Sequence, residues 1–117
     1  MSIRRIGVGS RMSQAVVHGE TVYLAGQVAA QAAGGNVTEQ TREILATIDT
    51  LLAEAGTDKT RLLSTTIYLA DMATFAEMNA VWETWVAPGA TPARATVEAR
   101  LAAPSYTVEI VCIAAKS

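Results

Sequence analysis

The sequence predicts an α+β fold in which two helices cover one face of a mixed six-stranded sheet. Two segments carry apolar residues at helical spacing, and they alternate along the chain with segments whose apolar residues recur at every second position. The chain has 117 residues, of which 50% are hydrophobic. Residues 1–117 therefore suit a single domain with enough apolar surface for a core.

The first part of the chain predicts an edge strand followed by a hairpin. Ile3 to Val8 is expected to form the edge strand. The runs Gln14 to Val17 and Thr21 to Leu24 predict two further strands, because they are rich in β-branched and apolar residues. His18-Gly19-Glu20 is the turn between them, and Ala33-Gly34-Gly35-Asn36 is a turn-rich break before the next element.

The first helix has the most regular pattern in the chain. Asn36 and Glu39 have the spacing of a capping box, and Gly56 is placed to end the helix. Between these signals, apolar residues fall on one face at Ile44, Leu45, Ile48, Leu51, Leu52 and Ala55.

A strand and a second helix follow. Leu63 to Ala70 alternates between apolar and polar positions, which predicts a strand. The helix is expected to begin near Asp71 or Thr74, because Thr74 and Glu77 have capping-box spacing, and to end at Pro88-Gly89. Its apolar face contains Phe75, Met78, Trp82 and Trp85, and we interpret the last three as core packing.

The last two predicted strands are Ala93 to Leu101 and Tyr106 to Ala114, joined by a turn at Ala103-Pro104-Ser105. A hairpin of these strands places Glu109 across from Glu98 or Ala99. With both helices on one face of the sheet, the opposite face stays open. This open face indicates an oligomer.

Composition limits the function classes. Nine Lys and Arg residues stand against eleven Asp and Glu, without a basic run, so neither nucleic acid nor an anionic membrane is an expected partner. Cys112 is the only cysteine and His18 the only histidine, which excludes an internal disulfide and the usual thiolate or imidazole metal clusters. We expect no metal and no cofactor. No apolar stretch has the length of a signal or spanning segment, so we expect a cytoplasmic protein.

Arg94 is the first candidate for chemistry. The strand Ala93 to Leu101 has one polar side, formed by Arg94, Thr96, Glu98 and Arg100. A solvated sheet face with cross-strand ion pairs explains this pattern most simply. Pro92, however, restricts the backbone just before Arg94 and favours a guanidinium held for bidentate capture of a carboxylate.

Glu109 is the second candidate, because its neighbours in the strand are apolar on both faces. A carboxylate in such a run is costly unless it is paired or hydrogen-bonded. It either forms a structural ion pair, with Arg100 or with an arginine of a partner chain, or orients a water and exchanges a proton. Asn79 on the second helix could present an amide. Gly26-Gln27 is either a bulge or a point of close approach to a ligand.

Several segments also match a known family, and Pro92-Ala93-Arg94 is the most specific of them. The chain resembles the Rid/YjgF family of reactive-intermediate deaminases over nearly its whole length. The resemblance implies a chorismate-mutase-like fold and a homotrimer whose sheets pack inward as a barrel, with three clefts at the subunit interfaces. The other matching segments are Arg11 to Val17, Val22 to Val28, Glu39 to Arg42, Leu52 to Gly56, Tyr68 to Met72 and Val108 to Ile110.

The resemblance implies hydrolysis of 2-imino acids, and of their enamine tautomers, to 2-keto acids and ammonia. Arg94 matches the arginine that holds the substrate carboxylate, and Glu109 matches the glutamate associated with the attacking water. Asn79 and Gly26 match residues that line the cleft. The chain departs from the best-known members at three positions that bear on substrate size and polarity, namely Met12 for an aromatic residue, Ala25 for a serine and Thr96 for a cysteine.

The predicted hairpin places Arg94 and Glu109 about four residues apart, at roughly 3.4 Å per residue, which is too far for one chain to hold a three-carbon acid between them. We therefore expect Arg94 of one subunit to face Glu109 of its neighbour. The main alternative is a trimer that binds a small carboxylate as a regulatory ligand without turnover. An isomerase of chorismate-mutase type would need further cations, for which Arg100 is the only obvious candidate. A structural or chaperone-like role leaves Arg94 and Glu109 unexplained.

Overall fold

The computed structural model, which describes residues 1–116, contains one seven-stranded mixed sheet and two helices. The helices are α1 (Val37–Glu54) and α2 (Phe75–Trp85), and short 3-10 turns occur at Lys59–Arg61 and Met72–Thr74. The predicted α+β class is confirmed. The strands are β1 (Ile3–Ile6), β2 (Ala15–His18), β3 (Thr21–Leu24), β4 (Gln27–Val28), β5 (Leu62–Leu69), β6 (Ala93–Glu98) and β7 (Val108–Ala115). The short β4 was not predicted.

The strand order is β1-β2-β3-β7-β5-β6, and β4 also pairs with β7. Only β5 and β6 run parallel. The predicted hairpin of the last two strands is therefore wrong, because β5 lies between β6 and β7. Glu109 pairs with Tyr68, and not with Glu98 or Ala99.

The chain crosses from β6 to β7 through residues 99–107, and a buried side chain holds this crossover. Gln40 of α1 has no exposed surface. Its amide nitrogen donates to the backbone oxygen of Ser105 at 2.8 Å, and its amide oxygen accepts from the backbone N–H of Thr107 at 2.9 Å. These bonds satisfy backbone groups of the crossover, which lies outside the strands.

The first helix forms as predicted. The side chain of Asn36 accepts a hydrogen bond from the backbone N–H of Glu39, and Gly56 follows the helix with a φ of 84°. Residues with side chains tolerate such a φ poorly, which explains the glycine at this stop. The predicted apolar stripe is buried in the core.

The helix α2 begins directly after Thr74, as predicted, but without the predicted capping box. Thr74 makes no capping hydrogen bond, because the 3-10 turn before the helix leaves it with φ −90° and ψ 7°, outside the extended conformation that a cap requires. Asp71 caps that turn by accepting from the backbone N–H of Ala73. Glu77 accepts from the backbone N–H and the hydroxyl of Thr38 and so links α2 to the start of α1.

The helices pack on one face of the sheet, and the other face is open. Ile67 and Ile110 pair across β5 and β7 and are both fully buried. On the open face, the side chains of Tyr23 and Val97 are 46% and 41% exposed. No helix in residues 1–116 is both long and apolar enough to span a membrane.

The core contains the thiol of Cys112, hydrogen-bonded with the Thr65 hydroxyl at 3.4 Å. Burial raises the pKa of Cys112 from 9.0 to about 11, and the bond to Thr65 opposes part of this rise. At a pH between 9.0 and about 11, the thiol is deprotonated in the unfolded chain but still protonated in the folded chain. The free energy of unfolding therefore falls as pH rises through this range.

We expect urea unfolding to show this loss when measurements at pH 8 and pH 10.5 are compared. The wild type should lose about 2 kcal/mol more than Cys112→Ser, whose hydroxyl keeps a partner in Thr65 but does not titrate in this range. Equal losses in the two proteins would contradict the predicted ionisation of the thiol.

Candidate active site in two halves

Arg94 lies on the helix side of β6. It pairs with the buried Thr65 of β5, and its Nη1 donates to Oδ1 of Asn79 on α2 at 2.8 Å. The guanidinium carbon lies 5.4 Å from the ring centroid of Trp82 and 5.9 Å from that of Phe75. No carboxylate within residues 1–116 forms an ion pair with this guanidinium. The simpler interpretation of β6 as a face of cross-strand ion pairs is therefore wrong.

Thr96 lies two positions after Arg94 in β6 and on the same side of the sheet, where it pairs with the buried Ile67. Its hydroxyl is buried and has no hydrogen-bond partner in the described part of the chain. The hydroxyls of Thr41 and Thr107 are buried without a partner in the same way. Arg94, Asn79 and Thr96 lie on this side of the sheet as one set of polar groups, which we call the arginine half.

Glu109 belongs to the other side of the sheet. It is half-buried in β7 and pairs with Tyr68, on the face that the helices do not cover. A Cβ atom added to Gly26 would lie against Oε2 of Glu109 and 3.1 Å from its Cδ. Gly26 does not have a positive φ, so space for the carboxylate accounts for the glycine.

The segment of Ala25 and Gly26 is held by a buried glutamine. The side-chain nitrogen of Gln27 donates to the Ala25 backbone oxygen and to the side-chain oxygen of Gln14, both at 3.0 Å. Residues Gln27–Val28 pair with β7 as β4. Tyr23 pairs with Ile113 and Gln27 with Ile110, so this edge has one extra residue opposite β7, as expected for the bulge considered at Gly26-Gln27. Sequence analysis missed the role of Gln27, because one polar residue after a strand carries no specific signal. Ala25, Gly26 and Glu109 form the glutamate half.

Met12 joins neither half within one chain. It lies in the loop between β1 and β2, where its backbone oxygen accepts from the Gly9 N–H at 2.8 Å. Its side chain is 52% exposed.

The two halves are well separated within the chain. Arg94 is level with Thr65, and Glu109 is level with Tyr68, so they are offset by three residues along β5. The offset along the strands is about 10 Å, and the two strand spacings between β6 and β7 add about 10 Å across the sheet. The two side chains also point to opposite faces, Arg94 to the helix side and Glu109 to the open side. One chain alone cannot place both groups on a three-carbon acid, which agrees with the expectation although the strand pairing behind it was wrong.

A cavity of about 640 Å³ contains neither Arg94 nor Glu109. It lies beside the crossover after β6, and Glu98, Arg100 and Tyr106 are its main polar side chains. The Glu98 carboxylate is already occupied by the backbone N–H of Met72 at 2.9 Å. We place the candidate site at the two halves, because each presents a charged group that has no oppositely charged partner within residues 1–116. No cluster of His, Cys, Asp or Glu within residues 1–116 is suited to a metal ion.

Comparisons with known proteins agree with this architecture. The family model described as endoribonuclease L-PSP matches residues 2–116. A crystal structure of a member of the YjgF protein family from Neisseria meningitidis is 49% identical, with a TM-score of 0.96, and the match covers 100% of this chain and 97% of that one. The chain belongs to the Rid/YjgF family.

Members of the Rid/YjgF family with curated names include close and more distant relatives. A RutC family protein of Haemophilus influenzae is 46% identical over 114 residues, which is 97% of this chain and 98% of that protein. A mouse protein named 2-iminobutanoate/2-iminopropanoate deaminase is 35% identical over 107 residues, which is 87% of this chain and 78% of that protein. Deaminases therefore occur within the family, and closer relatives carry only the family name.

Proposed function

We propose that the protein hydrolyses reactive 2-imino acids to 2-keto acids and ammonia, in clefts where Arg94 of one subunit meets Glu109 of its neighbour. The observation that carries this proposal is the guanidinium of Arg94, held by Asn79 but without a carboxylate partner in residues 1–116. A positioned cation of this kind binds a small carboxylate. The name of the mouse relative supports a 2-imino acid as the substrate that carries this carboxylate.

Imine hydrolysis requires no strong nucleophile from the protein, because an imine carbon is already electrophilic. Arg94 binds the substrate carboxylate through two N–H groups that its bond to Asn79 leaves free. Glu109 orients a water and takes its proton as the oxygen bonds to the imine carbon. The nitrogen gains protons, the C–N bond breaks, and ammonia leaves with the keto acid as the second product. Positioning and proton transfer account for the acceleration.

The open sheet face supports a homotrimer. Tyr23 and Val97 expose apolar surface on this face, and it also carries Glu109. Copies of the chain that cover this face would bury the apolar surface and bring a second subunit against the glutamate half. The site is then complete only in the assembly.

A regulatory trimer that binds a carboxylate without turnover remains the main alternative, and both functions require Arg94. Glu109 favours catalysis, because a second carboxylate beside a bound anion weakens simple binding. An isomerase acting on a dicarboxylate would need another cation, but Arg100 lines the cavity beyond the end of β6 and is not part of the arginine half. RNA cleavage has less support, since acidic residues outnumber basic ones by eleven to nine.

A coupled assay tests the proposal. An amino-acid oxidase or serine dehydratase generates the imine, and semicarbazide traps the part that escapes hydrolysis. We expect the purified protein to speed the appearance of keto acid and to lower the initial rate of trapping. No acceleration by the wild type, with Arg94→Ala behaving identically, would remove the deaminase proposal.

Gly26→Ala is expected to lower kcat by about 10- to 100-fold while the fold stays intact, since small displacements of a catalytic group have effects of this size. The added methyl would displace Oε2 of Glu109, which is the flexible end of a side chain. Steady-state kinetics and thermal unfolding measure the two quantities.

Product binding is the control for this prediction. If Gly26 acts through the Glu109 carboxylate, Gly26→Ala should lower kcat while the affinity for the keto acid product stays within a few-fold of the wild type. Lost affinity for the keto acid, or a collapse of thermal stability, would instead assign Gly26 to the general packing of the sheet.

A further inference from the structure

One stripe of α2 covers the guanidinium of Arg94. Phe75, Asn79 and Trp82 are spaced at i, i+4 and i+7, so they lie on one face of the helix. Asn79 accepts the Nη1 hydrogen bond, and the two rings lie within 6 Å of the guanidinium carbon. Trp82 is only 6% exposed, whereas Phe75 is 39% exposed at the edge of the site.

We propose that this stripe is a neutral clamp that positions Arg94 without neutralising its charge. The inference rests on the proposed function, because it concerns the same carboxylate-binding arginine. It assigns positioning roles to Phe75 and Trp82, and it makes the absence of charge at Asn79 a determinant of anion affinity.

The physical basis is the difference between two ways of fixing an arginine. A carboxylate partner would fix it with a strong ion pair but would cancel the charge that the substrate needs. The amide oxygen of Asn79 accepts a hydrogen bond from one guanidinium N–H, and the electron-rich faces of the two rings attract the cation. The guanidinium is therefore held in place while it keeps its net charge.

Two of the carboxylates near this cluster in sequence are engaged elsewhere, and a third, Glu83 beside Trp82, is exposed to solvent. Glu77, on α2, binds the backbone N–H of Thr38 at 3.1 Å. Glu98, on the same side of β6 as Arg94, binds the backbone N–H of Met72 at 2.9 Å. Both acidic groups thus stabilise neighbouring turns and leave the guanidinium to the clamp.

Asn79→Asp is the sharpest test, because it keeps the size and the acceptor oxygen and adds only charge. We expect its Kd for 2-oxobutanoate, the keto acid formed from 2-iminobutanoate, to rise by at least about tenfold in calorimetric titration. A residue that merely held Arg94 in place would tolerate this change. Ala80→Asp is the matched control, since it adds the same charge on the exposed adjacent position, which does not share the face of residue 79. Its Kd should change less than about twofold.

Phe75 provides a second test that does not depend on Asn79→Asp folding. Phe75→Leu keeps an apolar side chain but removes the ring face, and Kd should rise by about two- to fivefold. Phe75→Tyr keeps the face and should restore the affinity. An unchanged Kd in either Asn79→Asp or Phe75→Leu would overturn the neutral clamp, as would a wild type that binds no 2-oxobutanoate. Intact binding without imine turnover would overturn the proposed deaminase activity and leave the clamp standing.

Discussion

Replacing Arg94 by alanine is expected to lower kcat/KM for 2-imino acids by about 100- to 1000-fold and to remove detectable binding of 2-oxobutanoate. The variant loses a charge-assisted, two-point contact with the substrate carboxylate, and no second cation belongs to the arginine half. The coupled imine assay gives kcat/KM, and calorimetric titration gives the affinity for the keto acid.

The fold should survive this change, because Arg94 is exposed within the single chain and forms no ion pair in residues 1–116. Arg94→Lys keeps the charge but loses the planar fork, so its activity should fall between that of the wild type and that of Arg94→Ala. Arg100→Ala is the control for general loss of positive charge, and it should retain activity. Equal kinetics for Arg94→Ala and the wild type would contradict the anchoring role.

Local elements were predictable from the sequence where one signal decides the structure. The cap at Asn36, the apolar stripe of α1 and the stop at Gly56 are all determined by contacts within a few residues, and each is present in the structure. The capping box at Thr74 was wrong, because the outcome depends on a 3-10 turn that competes for the same residues. Propensity rules do not resolve such local competition.

Strand pairing was less predictable, because an alternating pattern identifies a face but not a neighbour. The last two strands look like a hairpin, yet β5 inserts between them. The crossover that makes this possible is stabilised by Gln40, which is 65 residues from Ser105 in sequence. No local feature of the crossover residues reveals so distant a partner.

The candidate site was also only partly predictable from the sequence. Arg94 and Glu109 were recognisable as charges in unusual settings, but the contact between Arg94 and Asn79 could not be deduced from the helix alone. Trp82 was interpreted as core packing, which its burial confirms, whereas Phe75 on the same helical face is 39% exposed. Helical spacing places a residue on a face, and tertiary structure decides whether that face meets the core or the edge of β6.

Glu109→Gln is expected to abolish imine hydrolysis while keeping the Kd for 2-oxobutanoate within a few-fold of the wild type. The amide keeps the size of the side chain but cannot accept the proton of the attacking water. Loss of kcat with retained binding would separate the proposed deaminase from a regulatory carboxylate-binding protein. Full activity in this variant would contradict the role of Glu109.

The same variant shows whether two chains share the site. Arg94→Ala subunits keep Glu109, and Glu109→Gln subunits keep Arg94, so co-expressed mixed trimers can form clefts that contain both groups. In a cyclic oligomer assembled at random from equal amounts, about half of the clefts receive an intact Arg94 from one subunit, and about half of those receive an intact Glu109 from the neighbour. About a quarter of the clefts therefore contain both residues. We therefore expect about a quarter of the wild-type activity from two variants that are inactive alone. Sites built from a single chain would recover nothing, because each subunit lacks one of the two residues, and that result would exclude the shared cleft.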